Sequence, residues 1–147
     1  MSSTDEEEVR VLFVEDDPAL ADMYRTKLEL DGYVVTVAKD GEEALSRASA
    51  DPPDLVFLDI RLPKMDGIRV LEELRAQERT RHLPVVILSN YSDDEWRERV
   101  RELGALEWLI KTATTPGQVS SQIQEWMQPA GDGERDAGTP GHSAGRS

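Results

Sequence analysis

Cysteine is absent from the 147 residues, which excludes disulfides, thiolate metal sites and cysteine nucleophiles. Histidine occurs only at His82 and His142, too few for a multi-histidine metal centre. Positive charge is scarce: 17 Lys and Arg face 30 Asp and Glu, a net charge of −13. No basic surface is available to displace counterions from nucleic-acid phosphates or to hold an anionic membrane. A cationic ligand, a metal or a protein partner with basic patches stays open. No apolar run approaches the ~18 residues of a membrane span. The acidic start, Met1 to Arg10, has no apolar signal core, so a cytoplasmic location is expected.

Composition divides the chain into three parts. Residues 1–8 are acidic and are expected to fray. Residues 129–147 hold five of the ten glycines and no Val, Ile, Leu, Met or aromatic residue. Such a segment cannot offset its ordering entropy by burial and is expected to be a disordered tail. Between them, residues 9–128 form one domain of ordinary size. His142 falls in the tail, and His82, before Leu83-Pro84, reads as a surface loop residue.

Within the domain, short apolar runs alternate with helical patterns. Val9–Val14, Tyr33–Ala38, Leu55–Leu58, Val85–Leu88 and Trp108–Ile110 read as strands. Asp17-Pro18 opens the first helix, with Asp as N-cap and Pro in the first turn; Leu20, Met23, Tyr24 and Leu28 form its apolar face. Asp40-x-x-Glu43, Ser92-x-x-Glu95 and Thr115-Pro116 with Gln118 carry further helix starts. The pattern is (βα)5. It predicts an α/β fold with an open parallel sheet between two helical layers.

Four of these strands run directly into polar residues: Glu15-Asp16-Asp17, Asp59, Ser89 and Lys111. A parallel sheet collects all its strand C-termini on one edge, where ligands bind. Residues spread over nearly a hundred positions therefore meet in one cleft. Carboxylates packed together repel, and a hard divalent cation relieves that repulsion. Oxygen ligands without thiol or imidazole favour Mg²⁺, with Mn²⁺ or Ca²⁺ as substitutes. An ammonium and a hydroxyl beside the metal would hold a dianionic group, a set suited to phosphoryl transfer onto an aspartate.

Taken together, Val11-Leu12-Phe13-Val14-Glu15-Asp16-Asp17, Leu55-Val56-Phe57-Leu58-Asp59, Pro63-Lys64-Met65-Asp66-Gly67, Ser89, Gly104-Ala105, Trp108 and Lys111 resemble the receiver domain of two-component response regulators. The resemblance covers about residues 9 to 127. It implies a CheY-like, flavodoxin-like three-layer sandwich with strand order 2-1-3-4-5. It implies Asp59 as phosphoacceptor, with Asp16, Asp17, Asp59 and the Arg61 backbone carbonyl around Mg²⁺. Ser89 would be the switch hydroxyl, Lys111 the phosphate-binding lysine and Trp108 the reorienting aromatic. Arg61 and Tyr91, each two residues past a site residue, would set the lifetime of the acyl phosphate. Where the family usually carries Pro after the lysine, this chain has Thr112.

The implied partners are a histidine kinase or histidine phosphotransfer protein as donor and a downstream protein target. The implied state is a monomer or weak dimer through the fourth helix, fifth strand and fifth helix. With only the short polar tail after the domain, a stand-alone signalling switch rather than an enzyme is expected. Two alternatives remain: a receiver-like binding module that takes no phosphate, and an aspartate-nucleophile phosphatase. The latter commonly uses D-x-D, but Arg61 stands where the second Asp would be.

Overall fold

Residues 8–90 and 94–127 are described by a computed structural model. In chain order the elements are β1 (Arg10–Val14), α1 (Pro18–Leu30), β2 (Val34–Ala38), α2 (Gly41–Ala50) and β3 (Leu55–Leu58). They continue with α3 (Gly67–Ala76), β4 (Val85–Ser89), α4 (Asp94–Glu102), β5 (Glu107–Ile110) and α5 (Pro116–Trp126). A 3₁₀ turn, Lys111–Ala113, joins β5 to α5. All strand pairs are parallel, in the order β2-β1-β3-β4-β5.

The period-2 alternation of the central strands divides the core in two. Leu12, Val14, Val56, Leu58, Val85 and Ile87 face one layer, where Ala44 of α2, Val70 and Leu71 of α3 and Val100 of α4 meet them. Val11, Phe13, Leu55, Phe57, Val86 and Leu88 face the other, against Tyr24 and Leu28 of α1 and Val119 and Ile123 of α5. Phe13 stacks on Tyr24 at 4.9 Å and tilts against Phe57 at 5.6 Å, so aromatics fill the second layer. With helices on both faces, β3 and β4 are buried at every position, while the edge strands β2 and β5 are not.

Capping residues set the helix starts. Asp17, Asp40, Asp66 and Thr115 each accept a backbone N–H of the first turn, and Thr115 with Gln118 closes a capping box. Some expectations change. β1 and β2 each begin one residue later than their apolar runs, at Arg10 and Val34, while β4 runs on to Ser89 and β5 begins at Glu107. In α1 the buried residues are Ala21, Tyr24 and Leu28, while Met23 is 49% exposed. The stripe follows the i, i+3, i+7 line from Ala21, and Met23 falls off it. The start read at Ser92, and with it Tyr91 and both terminal segments, lie outside the described residues. No described helix is long and apolar enough to cross a membrane.

Candidate functional site

The C-terminal edge of the sheet gathers the residues that follow β1, β3 and β5. Main-chain bonds extend the sheet one step beyond its strands: Glu15 N–H donates to Ala38 O at 2.9 Å, and Asp59 N–H to Val14 O at 3.3 Å. Both side chains are thereby fixed at the rim. From β5, Lys111 reaches across and donates to Glu15 Oε1 at 2.5 Å and to Asp59 Oδ2 at 2.7 Å. The second oxygen of each carboxylate accepts a backbone N–H, Asp17 N–H to Glu15 Oε2 at 3.0 Å and Arg61 N–H to Asp59 Oδ1 at 3.2 Å. Glu15 and Asp59 are 2% and 4% exposed, so the ammonium and the two N–H groups replace the water they lost.

Electrostatics follow from that burial. Desolvation pushes the Glu15 carboxyl above its ordinary range, against the hydrogen bonds from Lys111 and Asp17, and the Asp59 charge adds to the rise. For Lys111, burial pulls the ammonium down, but its bonds to Asp59 and Glu15 outweigh it and leave the group above its usual value. Lys111 therefore stays charged at neutral pH.

Oxygens of Glu15, Asp16 and Asp59 lie within 4.8 Å of one another. One ammonium bonds two of these three carboxylates, which leaves an excess of negative charge in the cluster. Asp16 is the exposed member of the group. An all-oxygen, anionic donor set of this size fits a hard divalent cation such as Mg²⁺.

Asp17 differs from expectation. Its Oδ1 accepts from Ala19 N–H at 3.0 Å and Leu20 N–H at 3.3 Å, so the side chain caps α1 and is not part of the oxygen cluster. The first-strand acids in the oxygen cluster are Glu15 and Asp16. The sequence signal was partial: Asp17 precedes Pro18 as an N-cap does, but nothing along the chain sets Glu15 apart from its neighbours.

Ser89, fully buried, ends β4 and pairs in register with Ile110, directly before Lys111. Trp108 packs on the first core layer from β5, with the Arg97 guanidinium 5.2 Å above its ring. Its Nε1 is buried and has no hydrogen-bond partner among the described residues. Arg61 lines a cavity of about 330 Å³ with Ile60, Asp66, Ile68 and Trp96. A larger one, about 410 Å³, lies away from the carboxylates, where Arg10, Thr36, Arg47 and Asp51 line it.

Residues 11–123 match the model of the response regulator receiver domain. The chain belongs to that family. Among curated relatives, the Alkaline phosphatase synthesis transcriptional regulatory protein PhoP of Bacillus subtilis is 35% identical over 115 residues, 78% of this chain and 47% of that protein. Response regulator MprA of Mycolicibacterium vanbaalenii is 40% identical over 105 residues, 70% of this chain and 44% of its own. This receiver domain thus spans about half the length of the curated relatives it matches. A CheY-like receiver domain protein from Methanospirillum hungatei superposes with a TM-score of 0.77 at 26% identity, covering 90% of this chain and 100% of that one. The receiver domain of sensor histidine kinase PA1611 from Pseudomonas aeruginosa gives 0.73 at 30% identity, over 82% of this chain and 98% of that one. That structure has a magnesium ion coordinated in its active site cleft. The flavodoxin-like architecture expected from the sequence is the one found.

Proposed function

We propose that this receiver domain takes a phosphoryl group on Asp59 from the phosphohistidine of a kinase or phosphotransfer protein and, so charged, alters a protein-interaction face. The observation that carries the reading is Lys111 Nζ bridging two buried carboxylates, with a third carboxylate oxygen within 4.8 Å. Asp59 Oδ attacks phosphorus in line, the P–N bond breaks, and the imidazole leaves with its electron pair. Lys111 holds the nucleophile before transfer and donates to a phosphoryl oxygen as negative charge shifts onto it. Ser89 supplies the second donor from the end of β4. Glu15, Asp16, Asp59 and the Arg61 carbonyl would hold Mg²⁺, which when bound neutralises phosphoryl charge.

The phosphoaspartate carries about −1.5 to −2 charge if it behaves as other phosphorylated side chains do. It draws Lys111 and Ser89 toward itself and repacks the α4–β5–α5 surface around Trp108, the face offered to a downstream protein target. Arg61, two residues past Asp59, governs how long the acyl phosphate lasts; the same role expected of Tyr91 falls on a residue outside the described ones.

Intact-mass measurement after incubation with acetyl phosphate and Mg²⁺ tests the reading. One added phosphoryl on the parent and none on Asp59→Asn is the expected result. No gain on the parent with any donor would leave a binding module that takes no phosphate.

A further inference from the structure

The ladder between β4 and β5 stops at the pair Ser89↔Ile110. Beyond it a side chain takes over: Thr112 N–H donates to Asn90 Oδ1 at 2.9 Å. Asn90 directly follows Ser89, and Thr112 directly follows Lys111. The last strand pair and this bond therefore close a small ring of chain that contains both the buried hydroxyl and the bridging ammonium. The same turn is held on its far side by Thr114 N–H to Lys111 O at 3.3 Å and by Tyr24 Oη donating to Thr114 O at 3.4 Å. A proline at position 112 would have no N–H to give. The bond exists because this chain has Thr112 where the family usually carries Pro.

We propose that Asn90 is a positioning residue for phosphotransfer: by binding the Thr112 N–H it holds Lys111 and Ser89 at the spacing that the phosphoryl group requires. This rests on the phosphoacceptor reading of Asp59. Lys111 Nζ stands at the end of a flexible four-carbon stem, so its aim depends on how firmly its own backbone is held. Releasing the turn leaves Asp16, Glu15 and Asp59 in place but loosens the backbone from which Lys111 must move from its carboxylates to the phosphoryl oxygen. The loss therefore falls on the maximal rate and leaves the half-saturating Mg²⁺ concentration where it was.

The test uses the full chain, acetyl phosphate as donor, and three variants: Asn90→Ala, Thr112→Pro and the double substitution. Phosphoryl gain is followed by intact mass across a Mg²⁺ titration, with hydrogen exchange of the Thr112 amide read in the parent and in Asn90→Ala. In Asn90→Ala we expect faster exchange at Thr112, a maximal rate about three- to tenfold lower and an unchanged Mg²⁺ midpoint, the scale of one lost hydrogen bond. Because both substitutions remove one bond, the double variant loses no more than the larger single loss. Asn90→Ala, an exposed substitution, keeps the test open if Thr112→Pro does not fold. Equal rates in parent and Asn90→Ala, or equal Thr112 exchange, overturn the proposal alone. No phosphoryl gain on the parent itself overturns the Asp59 reading and this proposal with it.

Discussion

At the scale of single residues, the acceptor loop depends on a glycine. A Cβ at Gly67 would sit 2.1 Å from the Asp59 carbonyl oxygen and 2.8 Å from Ile60 Cα. The loop folds back so closely because Gly67 N–H donates to Ile60 O at 2.7 Å. Gly67→Ala must push backbone against backbone, at a cost of about 1–3 kcal/mol. Its urea midpoint should fall accordingly, with slower phosphoryl gain at Asp59; an unchanged midpoint would show that the approach is not tight in solution.

Acid sensitivity is also a residue property. The Asp40 carboxylate caps α2, accepting Glu43 N–H at 2.8 Å, and that hydrogen bond, with Lys64 nearby, holds its pKa below the ordinary range. Asp31, bonded by the Ser120 hydroxyl, and Glu43, bonded by Lys39 N–H, are lowered too. A carboxyl whose folded pKa lies below its unfolded value stabilises the fold above that unfolded value, about 4, and loses the contribution as pH falls through the folded one. Stability should therefore drop below about pH 4. Asp40→Asn keeps a capping oxygen but cannot titrate, so its urea midpoint should fall less steeply over that range.

Among elements, β5 and α4 meet through the Arg97 guanidinium over the Trp108 ring. The contact is partly solvated and is worth about 0.5–1 kcal/mol. Arg97→Ala should cost that much in urea unfolding and change the indole emission. In a Trp108→Phe background the same substitution should cost measurably less. Two other joints between elements were not legible beforehand. Arg99 of α4 reaches Glu72 of α3 at 3.0 Å, besides Glu102 of its own helix at 3.4 Å. Arg75 of α3 donates to the carbonyl oxygens of Leu103, Arg81 and Leu83, which holds the end of α4 to the entry of β4. A guanidinium on a long stem takes whichever acceptor the packed helices bring near, and local spacing carries no record of that.

For the molecule as a whole, a net charge of −13 repels itself in the compact state. Screening shortens from about 30 Å at 10 mM salt to about 10 Å at 100 mM. NaCl added over that range should raise the thermal midpoint. At constant ionic strength, Mg²⁺ should raise it further by binding the folded state alone, and Asp16→Asn should remove most of the Mg²⁺ increment. A midpoint indifferent to Mg²⁺ in the parent would count against the cation site.

The sequence by itself determined the strand–helix alternation, the capped helix starts and the polar residue at the end of each central strand, because these are local signals of period and position. From them came the parallel sheet and the meeting of Asp59 and Lys111 at its edge, with Ser89 at the end of β4. Only the tertiary structure decided which acids share the cleft. Asp16 and Asp17 are equal candidates along the chain, but α1 draws Asp17 into its own first turn, while the pleat of β1 carries Glu15 inward to Lys111. The same holds for Asn90: only the end of the β4–β5 ladder brings its oxygen to an N–H that proline would have removed. Side chains with several partners in reach are settled by distance in the folded state, which neighbours in sequence do not fix.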